Sequence, residues 1–302
     1  MNFQLDSSNR LFLSGYFGRD VFGFHRDAFN FDFVWGNATG TARWNHIFSP
    51  RLFMNTTATY TNYNYEIANK FDRFSFKVGS NVQDYTLKSD FDYALHEKHA
   101  LTFGVSGVYH RFGVGRLQVE SEDDIINIDQ NTTLEGTELG AYISDDWDIS
   151  TRWKLTYGLR GSGFVYKKEF YKGLEPRAAV RYRANDKISL KASYTNMNQY
   201  VHLLSNTGIG LPTDLWVPTT DRVKPQQSEQ IAVGIAKDFA DKGATRGLTL
   251  TVEGYYKTMN NIINYREGAS FLLLNDPTSA EKVRWEDNVT RGKGWSYGAE
   301  VL

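Results

Sequence analysis

The feature that most constrains this chain is an alternation of apolar and polar residues with a period of two. In residues 153–160, Trp, Leu, Tyr and Leu alternate with Lys, Thr, Gly and Arg. Because successive side chains of a β-strand point to opposite faces, this period indicates a strand and not a helix. About twelve such segments recur along the chain, and none of useful length has a helical period. The predicted strands are 10–19, 29–48, 52–64, 72–94, 99–114, 134–149, 153–165, 175–184, 188–198, 226–239, 247–260 and 292–302.

Composition excludes several classes of function. The 34 basic and 35 acidic residues give a net charge of −1, so bulk charge attracts neither nucleic acid nor anionic lipid. The chain contains no Cys, which excludes disulfides, thiolate metal sites and a cysteine nucleophile. No apolar run approaches the ~20 residues of a transmembrane helix, but barrel strands alternate and escape that test.

The connections between the predicted strands differ in length on the two sides. Short turns at 49–51, 96–98, 150–152 and 185–187 alternate with mostly longer connections at 115–133, 199–225 and 261–291. Aromatic residues form one band near the short turns, as at Trp147 and Trp153, and another near the far strand ends, as at Tyr60 and Tyr109. Both features are typical of an outer-membrane β-barrel. The alternative is that Tyr and Phe simply favour strands.

In a membrane barrel the apolar face of each strand meets lipid, and the polar face meets the lumen. The lipid-facing set is then Leu155, Val180, Leu190, Leu250 and Val252. The lumen-facing set is Thr156, Arg177, Arg181, Lys191 and Glu253. A soluble barrel would bury the first set and expose the second.

The stretch "GAYISDDWDISTRWKLTYGLR" resembles the strand and turn pattern of TonB-dependent outer-membrane receptors. Residues 176–239, 247–272 and the final "GKGWSYGAEVL" are similar to the receptor type that carries a carboxypeptidase-regulatory-like domain ahead of its plug. The resemblance is specific over about residues 130–302, and in the first third it is that of a generic barrel.

The resemblance implies an antiparallel up-and-down transmembrane β-barrel in the outer membrane. The family barrel has 22 strands, so the chain is expected to form an incomplete one, as a single domain over residues 1–302 without a plug domain or a TonB box. The implied function is energy-coupled uptake of a scarce nutrient, such as a siderophore, cobalamin, glycan or peptide-like compound. The implied partners are outer-membrane lipid, that nutrient, and the plug and TonB system of the complete protein. A passive porin or adhesin barrel and a soluble glycan-binding β protein are the alternatives.

No enzyme chemistry is predicted. The "HEKH" at 96–99 lies at a short turn without a third ligand at a recognisable spacing, and the acidic stretch 121–131 lacks the spacing of an EF-hand. No nucleophile–base pair or paired carboxylates stand out, so no catalytic, metal or cofactor residue is assigned.

The long connections 199–225 and 261–291 hold the candidate ligand contacts. They combine aromatic faces, hydrogen-bonding groups and a cation, as a small-molecule site requires. The alternative is that their apolar residues pack on each other or on neighbouring loops. The candidates are Tyr200, His202, Asn206, Asp214, Trp216, Tyr265, Arg266 and Phe271.

Overall fold

The computed structural model describes residues 1–26, 29–71, 74–122, 127–205, 215–239, 247–266 and 284–302. No helix in these ranges is long and apolar enough to cross a membrane. The strands are β1 (Asn2–Gln4), β2 (Asn9–Arg26), β3 (Phe29–Ser49), β4 (Leu52–Phe71), β5 (Phe74–His96), β6 (His99–Ser121), β7 (Asn127–Asp148), β8 (Trp153–Tyr166), β9 (Glu169–Arg183), β10 (Ile188–Gln199), β11 (Val201–Leu204), β12 (Leu215–Pro218), β13 (Gln226–Asp238), β14 (Thr249–Tyr265) and β15 (Val289–Val301), with a 3-10 helix at Trp285–Asn288.

Thirteen of these strands form one sheet, in chain order from β1 to β10 and then β13 to β15. All neighbours are antiparallel, and β11 pairs only with β12 in a separate hairpin. Within the described residues β1 and β15 are the two edges, so the sheet is not closed. The prediction of an incomplete, antiparallel, up-and-down barrel is therefore confirmed.

Strand length divides the sheet into two regions. Strands β3 to β7, here called the tall wall, have 20 to 23 residues each. Strands β8 to β10 and β13 to β15, the low wall, have 12 to 17. Since about 9–11 residues cross a bilayer, the tall wall extends well beyond it at the end away from the short turns.

The sequence reading missed the upper part of the tall wall. The predicted connection 115–133 was wrong, because β6 continues to Ser121 and β7 begins at Asn127. The alternation continues in this upper part, but its apolar residues, such as Phe76, Val78 and Val119, lie in or against the inner-face core cluster. In the predicted strand 72–94 the alternation changes phase near residues 80–83, which predicts a bulge, and the structure has a register shift between Gly79 and Asn81. The short strand β1 and the β11–β12 hairpin were not predicted.

Strand register places the two predicted sets of side chains on opposite faces. Leu155 is directly opposite Val180, and Leu190 shares their face through its neighbour Ala192. On the other face, Arg181 is directly opposite Lys191. Many large apolar side chains of the first face are exposed, as a surface in contact with lipid would be.

The hydrophobic core lies on the second face, at the end away from the short turns. Strand β12 contacts β5, β6 and β7, whereas β11 contacts β14, which is four or more strands away in the sheet order. Only the concave side of a curved sheet can bring these strands to one hairpin. The face that carries Arg181 and Lys191 is therefore called the inner face, and the opposite one the outer face.

Candidate functional site

The β11–β12 hairpin lies on the inner face of the tall wall. Its side chains Leu204, Leu215 and Val217 are almost completely buried, in one cluster with Phe112 and Val114 of β6. Burial of each such side chain contributes roughly 1.5–3 kcal/mol. The hairpin is thus fixed by apolar contacts across the concave side of the sheet.

The second long connection joins the same cluster. Ile263, Trp285 and Val289 are buried beside the hairpin residues. Polar contacts also link the two connections: Arg222 lies 2.8 Å from the Asp287 carboxylate, and the Asn261 amide donates to the Pro225 carbonyl at 2.9 Å. The two long connections therefore meet at one end of the sheet.

Tyr200 ties the base of the hairpin to the low wall. Its ring stacks on Phe164 of β8, with ring centroids 5.4 Å apart and an interplanar angle of 6°. Its hydroxyl lies 2.9 Å from Oγ of Ser162, and that serine donates a hydrogen bond of 2.6 Å to Glu175. Movement of the hairpin base would therefore disturb a buried carboxylate.

His202 is fully buried inside the hairpin. Its Nε2 lies 3.0 Å from the Thr219 hydroxyl, while Nδ1 has no hydrogen-bond partner among the described residues. Burial lowers the pKa of His202 to about 4. The imidazole is therefore neutral at pH 7, and it packs as an apolar ring with one hydrogen bond.

Below the hairpin, charged side chains cross the inner face in a belt. Glu175 is buried, and its Oε2 lies 3.9 Å from Arg160 Nε and 3.4 Å from Arg177. Arg160 also contacts Glu138 at 3.2 Å, and further along the belt His110 lies 2.7 Å from Asp84. The belt consists of Asp84, His110, Glu138, Arg160, Ser162, Glu175 and Arg177. Such an array can hold polar groups through hydrogen bonds and ion pairs.

No group of three or more His, Asp or Glu side chains in the described ranges is arranged to hold a metal ion. The polar inner face is instead organised by ion pairs and hydrogen bonds between neighbouring strands.

Comparison with known proteins identifies the fold family. The family model of the TonB dependent receptor-like β-barrel matches residues 2–301. The chain belongs to this family. No curated protein matches it in sequence.

Solved structures agree with the family. The chain is similar to the ferripyoverdine receptor of the outer membrane of Pseudomonas aeruginosa, with 14% identity, a TM-score of 0.68, and coverage of 99% of this chain and 45% of that one. The alcaligin outer-membrane receptor FauA of Bordetella pertussis has 14% identity and a TM-score of 0.60, with coverage of 99% of this chain and 48% of that one. The copper transporter OprC has 14% identity and a TM-score of 0.66, with coverage of 88% of this chain and 45% of that one. The chain spans about half the length of these relatives.

As a TonB-dependent receptor barrel the protein lies in the outer membrane, which removes the soluble glycan-binding alternative. Barrels of this kind have short periplasmic turns and longer extracellular connections. The hairpin and the belt are accordingly assigned to the extracellular half of the lumen.

The predicted ligand residues fall into three groups. Tyr200 and His202 are buried with structural partners. Trp216 and Tyr265 are partly buried at the margin of the cluster, and Arg266 is exposed at the end of β14. Asn206, Asp214 and Phe271 lie outside the described residues. Contact of any of these residues with a ligand stays a prediction.

The predicted lumen residues lie at two levels of the inner face. Arg177 belongs to the belt, whereas Arg181, Lys191 and Glu253 lie nearer to the short turns. Sequence reasoning missed Glu175, although its spacing of two from Arg177 puts both on one face. It also missed Phe112, because the polar parity of its strand gave no sign that a distant hairpin would cover it.

Proposed function

We propose that the chain forms part of the wall of an energy-coupled uptake receptor for a scarce nutrient, and that residues 1–302 form one partial barrel domain. Family membership supports the general class. The position of the hairpin supports the more specific proposal of an uptake receptor instead of a passive porin. A segment anchored across the concave side occupies the mouth that a passive porin would keep open.

Ligand contact is proposed for the margin of the cluster, where aromatic faces and a cation are accessible. Trp216, Tyr265 and Arg266 are the described candidates, with Asn206, Asp214 and Phe271 from the same connections. Tyr200 and His202 are proposed as anchoring residues, because both are buried and the Tyr200 hydroxyl and His202 Nε2 bond to Ser162 and Thr219. A ligand would reach them only after the hairpin moves.

The nutrient is proposed at the level of class only. The solved relatives are described as an alcaligin receptor, a ferripyoverdine receptor and a copper transporter. For this receptor the proposal covers a siderophore, cobalamin, a glycan or a peptide-like compound. It includes a plug domain and the TonB system as partners of the complete protein.

Uptake by cells that carry the complete receptor tests the proposal. A deletion strain is complemented with the wild type, Trp216→Ala or Arg266→Ala, and each nutrient class is supplied singly at limiting concentration. We expect wild-type uptake to stop with a protonophore, and both variants to lower uptake at unchanged surface expression. Ile149→Ala, an exposed apolar position beside a short turn at the opposite end of the sheet, serves as the control.

Uptake that persists with the protonophore would instead favour the passive porin. Equal uptake by both variants and the control would remove this margin from the binding site. No nutrient-dependent difference between the deletion and complemented strains would contradict the receptor proposal itself.

A further inference from the structure

Three cations stand side by side on the inner face of the low wall. Lys154 of β8 is directly opposite Arg181 of β9, and Arg181 is directly opposite Lys191 of β10. Neighbouring strands lie about 4.8 Å apart, and like charges directly opposite each other destabilise a sheet. A nearby negative charge would reduce the repulsion within such a row of cations.

The described residues supply that charge only at one end. Lys154 has the Asp146 carboxylate at 3.0 Å. No carboxylate of the described ranges lies within ion-pair distance of Arg181 or Lys191. Two adjacent cations are therefore left without an internal counter-ion.

Acidic residues continue the same row but do not reach the cations. Lys191 is opposite Gly234 of β13, and that glycine is opposite Glu253 of β14, which in turn is opposite Glu300 of β15. The charges are thus segregated, with the glycine between the two groups. No ion pair closes the gap between Lys191 and Glu253.

A small cavity occupies this gap. Its volume is about 210 Å³, and the charged residues that line it are Lys154, Arg181, Lys191 and Glu253. Small inner-face residues also line it: Ala179, Ser193, Ala232 and Gly234. Complete small-molecule sites measure about 300–1,000 Å³, so this one accommodates a single functional group and not a whole nutrient.

We propose that Arg181 and Lys191 form a carboxylate-binding site on the luminal wall. The planar guanidinium fork suits the two oxygens of a carboxylate, and the ammonium adds a second charge-assisted bond. Glu253, which lines the same cavity, repels a doubly charged phosphate more strongly than a singly charged carboxylate. The carboxylate comes either from an acidic side chain of the complete receptor or from a soluble molecule in the lumen.

Removal of both cations changes the stability of the complete receptor in opposite directions, depending on whether the site is empty or holds an acidic side chain. With no bound carboxylate, Arg181→Gln/Lys191→Gln removes a repulsion and leaves the urea midpoint of the complete receptor unchanged or raised. With an acidic side chain in the site, the same double variant leaves that carboxylate unpaired and lowers the midpoint. Lys257→Gln, an inner-face cation outside the cavity, is the matched control.

The soluble source is tested with acetate as the probe, at constant ionic strength in lipid nanodiscs. If a soluble carboxylate fills the site, acetate raises the midpoint of the wild type, and its affinity falls about tenfold or more in the double variant, a loss of about 1.4 kcal/mol or more. Arg181→Lys, which keeps the charge and loses the fork, gives an intermediate affinity and serves where the double variant does not fold.

A double variant at least as stable as the control, together with no effect of acetate on the wild type, would overturn the proposal. Stabilisation by inorganic phosphate equal to that by acetate would overturn the carboxylate class. The proposed carboxylate site requires that the inner face lines the lumen, but it does not require that the receptor takes up a nutrient. A failed uptake assay would therefore contradict the proposed function and leave the stability test of this site unaffected.

Discussion

The tall and low walls use the same alternating strands but differ in what covers their inner faces. On the tall wall, Tyr65, Ile67 and Phe112 are buried under the hairpin and its neighbours. On the low wall, Arg181 and Lys191 are exposed on the inner face. The inner face therefore carries apolar residues where the hairpin covers it and charged residues below the hairpin, including Asp84 and Glu138 of the tall wall.

The position of a residue along its strand thus determines which face its side chain lies on, but it does not determine whether that side chain is polar or apolar. A strand position on the inner face is polar where it meets water and apolar where another segment covers it. The hairpin leaves the sheet at the end of β10 in the low wall and packs on β6 of the tall wall. The two walls are thus linked by a segment that belongs to one and is anchored on the other.

The largest expected effect concerns the covered inner face. Phe112→Ala should destabilise the complete receptor by about 3–5 kcal/mol, because it opens a cavity at a position with 0% exposure. Thr251→Ala, on the inner face of the low wall, should change the free energy by no more than about 0.5 kcal/mol. Urea unfolding in detergent measures both. Equal losses would mean that the two walls do not differ as described.

A second comparison is made within the hairpin. Leu204→Ala should weaken the hairpin anchor by about 2–5 kcal/mol, whereas Leu203→Ala should have little effect, since the two residues are 1% and 39% exposed. Limited proteolysis of intact cells reports hairpin release. Cleavage of both variants at the same rate would show that the hairpin is not anchored through one face.

Acid should loosen the same anchor. The pKa of His202 is lowered to about 4 by burial, whereas in a released hairpin it returns to about 6.5. The released form then binds more protons, so stability is complete above pH 6.5 and falls as the pH decreases towards 4. The loss at pH 5 is about 2 kcal/mol. Hydrogen exchange of the hairpin amides should show this slope in the wild type and lose it in His202→Gln; a flat wild-type profile would contradict it.

Most of the fold was readable from the sequence, because lipid imposes a strict alternation on any strand that crosses it. Twelve predicted segments correspond to strands of the main sheet, and the register shift near Gly79 was visible as a change of phase. Prediction failed at the far end of β6, where a register shift between Val114 and Leu117 interrupts the alternation before the strand continues to Ser121. There the strands are held both by backbone pairing and by packing of residues such as Phe76 and Val119 against the core cluster.

The site was readable only in part. The sequence located the two long connections and put Arg177, Arg181 and Lys191 on one face; that this face lines the lumen stays a prediction. It could not show that Tyr200 and His202 would be buried, because their partners Phe164 and Thr219 are brought to them by the path of the hairpin. The apolar loop residues that suggested a ligand patch are in large part the hairpin anchor.

The most direct test of the two faces introduces an arginine on each face in turn, at the same depth in the membrane. Val105 and Ser106 are neighbours near the middle of the membrane part of β6, on the outer and inner faces respectively. Val105→Arg should cost about 2–4 kcal/mol of folding free energy in bilayers and Ser106→Arg about 0–1 kcal/mol. Folding of the complete receptor into lipid vesicles, followed by urea titration, gives both values. A cost that is equal for the two variants, or larger for Ser106→Arg, would contradict the assignment of the outer face to lipid and the inner face to the lumen.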